Sequence, residues 1–201
     1  MSEGRRLQVY LFDRPESVTQ EELRRDLAAL PEWRRQKALF YRFDIDRVLC
    51  AKAWLLLKHG LKEMYGIDED PEFEFNENGK PCLRNHPEIH FNLSHCRKGV
   101  MCVISDAPVG CDIEEIAGEL DPDLCRYCFG EAGTADITAS PDPCIAFTER
   151  WTRREALQKL LGAAADGSTA DDADVDAAVI YDTVIDPEHS CVRTVCQYKA
   201  R

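Results

Sequence analysis

The sequence predicts an α+β protein, because its predicted helices and strands come in separate runs along the 201 residues and do not alternate regularly. A hydrophobic fraction of 44% is enough for one sizeable domain or for two compact halves that share an interface. The charge composition changes near residue 106, where a Pro-containing bend follows a predicted strand. We therefore place the boundary between residues 1–105 and residues 106–201.

The first half is expected to contain several strands and three helices. Alternating or apolar β-type runs predict strands at residues 7–12, 73–75, 89–93 and 100–105. Helices are predicted at about residues 19–30, 32–41 and 48–64. Thr19 is a typical helix start, Pro31 interrupts the first helix, Gly66 ends the third, and Asp44 or Asp46 is a candidate cap for it. Residues 76–81 have the composition of a turn.

The second half is expected to contain three strands and one helix. The strands are predicted at residues 109–113, 179–185 and 191–198, and the helix at residues 147–161, where Gly162 stops it. Residues 131–143 are rich in Ala, Asp, Thr and Pro and are predicted to form a loop. Residues 163–178 are predicted to be mobile. The sequence shows no convincing internal repeat, since the runs that begin at Gly99 and Ser190 are only faintly alike.

The net charge of −12 lies entirely in the second half. Residues 1–105 carry 17 basic and 17 acidic side chains, whereas residues 106–201 carry 8 basic and 20 acidic ones. This balance argues against nucleic acid as a partner. Residues 24–62 nevertheless hold ten cationic and four acidic side chains, which is enough for a local anion site but is also typical of a solvated helix face.

The sequence predicts a cytoplasmic protein with no membrane contact. Its N-terminus lacks the apolar core of an export signal, and no stretch approaches the ~18 uninterrupted apolar residues of a membrane span. In that compartment the ten cysteines are expected to be reduced and to act as small apolar residues, as in the β-type segments around Cys102, Cys111, Cys191 and Cys196. Cys125 and Cys128 have zinc-type spacing but no second pair beside them.

Three blocks of residues carry the chemistry: residues 91–95, residues 109–114 and residues 151–159. Alternate residues of a strand share a face, so Asp112 and Glu114 should point together, with Gly110 clearing space beside them. Two such carboxylates repel each other unless a cation lies between them, and Mg²⁺ prefers these oxygen ligands. The alternative is a solvated acidic edge.

On the predicted helix, Glu155 and Lys159 are neighbours because they are four residues apart. They form either an ordinary ion pair worth roughly 0.2–0.5 kcal/mol or a third metal-facing carboxylate beside a cation for a leaving group. Ser94 and His95 end a strand ahead of a basic turn, and this arrangement suits an anion-binding site at the strand end. The alternative is a structural role, which is more common for a lone His. Lys80 lies in a stiff turn between Gly79 and Pro81.

These blocks, in this order, resemble the 4′-phosphopantetheinyl transferase superfamily, specifically its surfactin-synthetase-activating type. The matching segments are Gly79-Lys80-Pro81, residues 90–95, residues 108–114 and residues 151–159, with weaker similarity from about residue 7 to residue 162. The resemblance implies two similar α/β halves in a pseudo-twofold arrangement, within a monomer. It also implies an enzyme of the holo-[acyl-carrier-protein] synthase type. Such an enzyme transfers the 4′-phosphopantetheine arm of coenzyme A to a serine of an acyl or peptidyl carrier protein and releases adenosine 3′,5′-bisphosphate.

The resemblance also implies residue roles. Asp112, Glu114 and Glu155 would hold Mg²⁺ on the diphosphate, with Glu155 or a metal-bound water deprotonating the serine, and Lys159 would neutralise the departing phosphate. The remaining candidates would contact coenzyme A: Lys80, Ser94 and His95 at its nucleotide end, and the basic cluster Arg34, Arg35, Lys37 and Arg42 at its 3′-phosphate. The chain departs from the family pattern at Arg154, where Lys is usual, after Cys128, and in the glycine-rich motif expected after Lys159.

Two other functions remain open at this level. A degenerate paralogue would bind coenzyme A or a carrier protein without turnover, and a Mg²⁺-dependent phosphoesterase would release free phosphopantetheine. Retention of Asp112, Glu114, Glu155 and Lys159 favours an active transferase over the degenerate paralogue. A phosphoesterase would modify no partner protein.

Overall fold

The computed structural model describes residues 6–162, 178–188 and 190–199. The first half contains β1 (Leu7–Phe12), a 3-10 turn (Pro15–Ser17), α1 (Gln20–Ala28), α2 (Glu32–Phe40), α3 (Asp44–Tyr65), β2 (Phe73–Phe75), β3 (Pro81–Leu83), β4 (His90–Cys96) and β5 (Gly99–Ser105). The second half contains β6 (Val109–Glu115), α4 (Pro122–Thr138), α5 (Pro143–Leu161), β7 (Val179–Asp186) and β8 (Cys191–Tyr198). This mixture of elements confirms the α+β class.

The two halves repeat one topology. The first half has an antiparallel sheet of order β1-β5-β4, and the second has an antiparallel sheet of order β6-β8-β7. In both sheets the third strand along the chain lies between the first and the second. The faintly similar runs after Gly99 and Ser190 are therefore β5 and β8, which are the equivalent central strands. The prediction of two similar halves is confirmed, while the functional division between residues 1–105 and 106–201 stays a prediction.

The two sheets pack face to face between the two longest helices. One face of β5 contacts α3 through Cys102 and Ile104, and the other contacts β6 through Met101 and Val103. All seven residues of β5 are therefore buried. On the far side of the molecule, α5 covers the second sheet with the apolar residues Ala156, Leu157 and Leu160. This layering places β6 between the first sheet and α5.

Helix ends follow local sequence signals. Thr19 and Glu22 form a reciprocal capping box at the start of α1. Gly66 and Gly162 end α3 and α5 with positive φ angles of 73° and 66°, which glycine adopts without a steric penalty. The predicted cap of α3 was wrong: the helix begins at Asp44, so Asp44 and Asp46 lie in its first turn, where their charges favour the helix dipole.

The predicted loop at residues 131–143 was wrong, because α4 occupies most of it. The side chain of Asp121 accepts hydrogen bonds from the first turn of α4, and the hydroxyls of Thr134 and Thr138 donate back to carbonyls of the preceding turn. The threonine hydroxyls therefore find acceptors inside the helix, although the composition of this segment is typical of loops. A kink divides the helix at Gly130, where φ is 66° and ψ is −177°.

Two further differences concern the helices and strands. Helix α5 begins four residues earlier than predicted, because Asp142 caps it. The short strand β3 was not predicted. Of the segment predicted to be mobile, residues 163–177 lie outside the described residues.

No helix among the described residues is both long and apolar enough to cross a bilayer. Cys102, Cys111, Cys191 and Cys196 are buried as predicted.

Candidate active site

The site forms where the edge of the first sheet meets the edge of the second. β6 is an edge strand, so the outward backbone N–H groups of Cys111 and Ile113 have no strand partner on that side. Side chains of β4 take that place: Asn92 Oδ1 accepts from the Cys111 N–H at 2.8 Å, and Ser94 Oγ accepts from the Ile113 N–H at 3.4 Å. These hydrogen bonds satisfy the buried β6 backbone.

Gly110 allows α5 to approach this edge closely. A Cβ atom at Gly110 would lie 2.0 Å from the carbonyl oxygen of Ala156 and 2.5 Å from the amide nitrogen of Leu160. The space that glycine leaves is therefore filled by the helix backbone. As the sequence predicted, Asp112 and Glu114 share the face of Gly110, and both point toward α5.

A charge cluster lies between β6 and α5. The ammonium nitrogen of Lys159 is 2.5 Å from Asp112 Oδ1 and 3.1 Å from Ser94 Oγ, and the Ser94 hydroxyl donates to the same Asp112 oxygen at 2.7 Å. Asp112 is 2% exposed, and its second oxygen, Oδ2, is buried without a hydrogen-bond partner. One carboxylate oxygen is thus available for a further cation or donor.

Glu114 and Glu155 add negative charge to the cluster. The pKa of Glu114 is raised to about 7, first by burial and then by the nearby Asp112, despite a hydrogen bond from the Trp151 side chain and the charge of Lys159. The pKa of Glu155 is raised for the same two leading reasons, burial and then Asp112. Three carboxylates therefore share one ammonium, and their mutual repulsion would be relieved by a bound cation.

The donor set fits Mg²⁺ in its chemistry. Asp112, Glu114 and Glu155 supply the hard oxygen ligands that Mg²⁺ takes, and the unpartnered Asp112 Oδ2 is such an oxygen. In residues 6–162, 178–188 and 190–199, no three His, Cys, Asp or Glu side chains are already grouped as metal ligands. Instead, Asp112 Oδ1 pairs with the Lys159 ammonium.

A cationic pocket of about 110 Å³ lies on the other face of β4. His95 lines it together with Arg34 and Lys37 of α2, and the lining also includes Tyr41 and Asp46. The pKa of His95 is lowered, first because its surroundings desolvate the ring and then because Lys159 and Arg34 are near. A neutral imidazole beside two permanent cations is suited to an anionic ligand.

The structure brings together only some of the predicted coenzyme A contacts. Ser94 and His95 are adjacent in a strand and therefore lie on opposite faces, Ser94 with Asp112 and His95 in the pocket. The remaining predicted contacts, which do not line this pocket, have the following partners: Arg35 pairs with Glu32, Arg42 lies over the ring of Phe43, and Lys80 donates to backbone carbonyls. Their proposed contacts with coenzyme A remain predictions.

An apolar groove of about 220 Å³ borders the carboxylates. Glu114 lines it together with Leu124 of α4 and Phe147 and Trp151 of α5. The sequence reasoning missed this groove, since it depends on the first turns of α4. Arg154, the departure from the family pattern, links the same two helices because its guanidinium donates to the Cys128 carbonyl at 2.8 Å.

Comparison with known proteins identifies the family. Residues 108–190, which contain the carboxylates and Lys159, match the family model described as the 4′-phosphopantetheinyl transferase superfamily. A 4′-phosphopantetheinyl transferase of Bacillus subtilis is 30% identical over 160 residues, which cover 77% of this chain and 68% of that protein. The chain belongs to the 4′-phosphopantetheinyl transferase superfamily.

Two further relatives support the surfactin-synthetase-activating type within this superfamily. The 4′-phosphopantetheinyl transferase psf-1 of Bacillus pumilus is 36% identical over 132 residues, or 64% of this chain. The 4′-phosphopantetheinyl transferase Sfp of Bacillus subtilis is 28% identical over 156 residues, or 75% of this chain. The matched regions span 56% of psf-1 and 67% of Sfp.

Proposed function

We propose that this chain transfers the 4′-phosphopantetheine arm of coenzyme A to a serine of an acyl or peptidyl carrier protein and releases adenosine 3′,5′-bisphosphate. The observation that carries the proposal is the pairing of two charge arrangements across β4. The cationic pocket at His95 lies on one face, and the carboxylates with Lys159 lie on the other. A substrate that has nucleotide phosphates at one end and a diphosphate in its middle needs both.

The cationic pocket would bind the nucleotide end of coenzyme A. The side chain of Arg34 has a fixed orientation, since its guanidinium donates to the Cys50 carbonyl at 3.2 Å and lies 5.8 Å from the ring centre of Trp54. A guanidinium fixed in this way loses little conformational freedom when it binds a phosphate. Lys37 and His95 would contribute the remaining contacts to the 3′-phosphate and its neighbours.

The carboxylate cluster would carry out the transfer. Asp112, Glu114 and Glu155 would hold Mg²⁺, which lowers the negative charge of a diphosphate when bound. Glu155 would also take the proton of the carrier serine. The serine oxygen would attack the phosphorus nearer the pantetheine. The bond from that phosphorus to the bridging oxygen breaks, and Lys159 would neutralise the leaving phosphate.

The acceptor would approach over the apolar groove that borders Glu114. The groove combines an apolar lining with direct access to a carboxylate of the cluster. Since the pocket and the carboxylates belong to one chain, a monomer would hold a complete site. The monomeric state and the cytoplasmic location both remain predictions.

The test is the intact mass of a purified acyl or peptidyl carrier protein after incubation with this protein, Mg²⁺ and coenzyme A. We expect a gain of one phosphopantetheine arm that EDTA abolishes. Asp112→Asn and Glu155→Gln should each slow the transfer by at least about 100-fold. Glu149→Gln is the matched control, because Glu149 lies on the same helix and pairs with Arg153.

Two outcomes would contradict the proposal. Binding of coenzyme A without a mass gain on any carrier would indicate a degenerate binding protein. Consumption of coenzyme A without modification of the carrier would indicate a phosphoesterase. Transfer at the wild-type rate by Glu155→Gln would refute the residue roles.

A further inference from the structure

Lys80 is delivered to the interior by a tight turn between β2 and β3. The side-chain oxygen of Asn76 accepts from the Lys80 backbone N–H at 2.7 Å and from the Asn78 N–H at 3.0 Å. Gly79 adopts a φ of 79° and donates to the Asn76 carbonyl. The turn therefore fixes the backbone from which the Lys80 side chain extends toward the second half.

The Lys80 ammonium is bonded to three backbone carbonyl oxygens. It donates to Lys159 O at 2.5 Å and Leu160 O at 3.4 Å, both in the last turn of α5, and to Val109 O at 3.2 Å, at the start of β6. An ammonium has three N–H donors, and three acceptors use all of them. This saturation leaves no N–H for a nucleotide.

These acceptors are groups that need a partner. The last four carbonyls of an α-helix have no donor within the helix, and the negative end of the helix dipole lies there. The bond from the Gly162 N–H to the Gln158 carbonyl satisfies one of them. Lys80 supplies both hydrogen bonds and a positive charge to the next two, and it does so from the other half of the protein.

We propose that Lys80 is a positioning residue that holds the C-terminal turn of α5 against β6 and thereby places Lys159 on Asp112. The backbone carbonyl of Lys159 accepts from Lys80, while its side chain contacts Asp112 Oδ1 at 2.5 Å. A shift of the last turn of α5 would therefore move the Lys159 ammonium directly. The catalytic part of this inference rests on the proposed function of Lys159.

Lys80→Met tests the inference, since Met keeps most of the length and removes the ammonium. We expect kcat for carrier modification to fall by about 10–100-fold, because a misplacement near 1 Å costs on that order. The dissociation constant of coenzyme A, measured by calorimetry, should stay within about twofold of wild type. Lys58→Met is the matched control, since the Lys58 ammonium pairs with Asp70 on the surface and should change neither value.

A second variant displaces the same helix end without altering Lys80. In Gly162→Ala, the backbone φ of 66° strains a residue with a side chain, and the new Cβ would lie 2.8 Å from the Asn76 amide nitrogen. We expect the same pattern, a lower kcat with unchanged coenzyme A affinity. Both variants should also show faster amide hydrogen exchange in the last turn of α5, and this readout does not depend on activity.

The outcomes separate this inference from the proposed function. A dissociation constant that rises tenfold or more in Lys80→Met with little change in kcat would overturn positioning in favour of a direct nucleotide contact. Unchanged amide exchange at the end of α5 would overturn it as well. If the wild-type protein modified no carrier, the proposed function would fail, whereas faster exchange in both variants would still support the structural role of Lys80.

Discussion

Gly110→Ala should separate α5 from β6 and disable the site while leaving every charged residue in place. The new Cβ would lie 2.0 Å from Ala156 O and 3.0 Å from Leu160 Cα, and these are backbone atoms that no rotamer change can move. Ordinary contact begins near 3.4 Å, so α5 must shift by roughly 1.4 Å at this point. A shift of that size moves Lys159 beyond hydrogen-bonding distance of Asp112 Oδ1.

The expected magnitudes follow from this displacement. Overpacking of this kind costs about 1–3 kcal/mol of unfolding free energy, and a displacement near 1 Å lowers kcat by about 100-fold. Urea denaturation measures the first, and carrier modification measures the second. Gly118→Ala is the control, since its Cβ would meet no atom within 4 Å. Wild-type stability together with wild-type kcat in Gly110→Ala would refute the close approach of α5 and β6.

Two other perturbations test the same region. Asn92→Ala removes the acceptor of the buried Cys111 N–H and should lower the unfolding free energy by about 1–3 kcal/mol. The control Asn78→Ala, at an exposed position, should change it by less than about 0.5 kcal/mol. Equal urea midpoints for the two variants would contradict the hydrogen bond between Asn92 and the edge of β6. Without metal, Glu114 has a pKa of about 7 in the folded protein and of 4.5 as a free side chain. Between these two pH values the folded state keeps a proton that the unfolded state has lost, so the free energy of unfolding falls as the pH rises from 4.5 to 7. In Glu114→Gln, this pH-dependent loss of unfolding free energy should be smaller than in wild type by up to about 2 kcal/mol after allowance for solvent screening. A loss as large as in wild type would contradict the raised pKa.

Local sequence rules predicted much of the fold and part of the site. Strand alternation predicted that Asp112 and Glu114 share a face, and the structure shows both directed at α5. Applied to β4, the same rule separates Ser94 from His95, whereas the family resemblance had assigned both to the nucleotide. Alternation therefore predicts which face of β4 each side chain occupies, while the contacts of Ser94 and His95 with the nucleotide remain predictions.

Other features depend on contacts that no local pattern contains. Lys80 and its acceptor in Lys159 are 79 positions apart, and the turn that presents Lys80 resembles any exposed turn. Residues 131–138 form a helix although their composition is typical of a loop, and in this helix Ile137 is buried and Asp136 pairs with Arg150 of α5. The groove at Glu114 was not predicted either, because its lining includes Leu124 in the first turn of α4.

The two halves share a topology but differ in what fills the space at one close helix–sheet contact. In each half a long helix packs closely on a three-stranded sheet through one glycine, which is Gly60 on α3 in the first half and Gly110 on β6 in the second. At Gly60 the space is filled by Tyr10 and Ile104, so the helix–sheet contact is apolar. At Gly110 the backbone of α5 itself comes close, and the next residue on the same face of β6 is Asp112. The same frame therefore yields a core in one half and a buried charge cluster in the other. The cationic pocket of the first half lies within one strand of that cluster because β4 and β6 meet edge to edge.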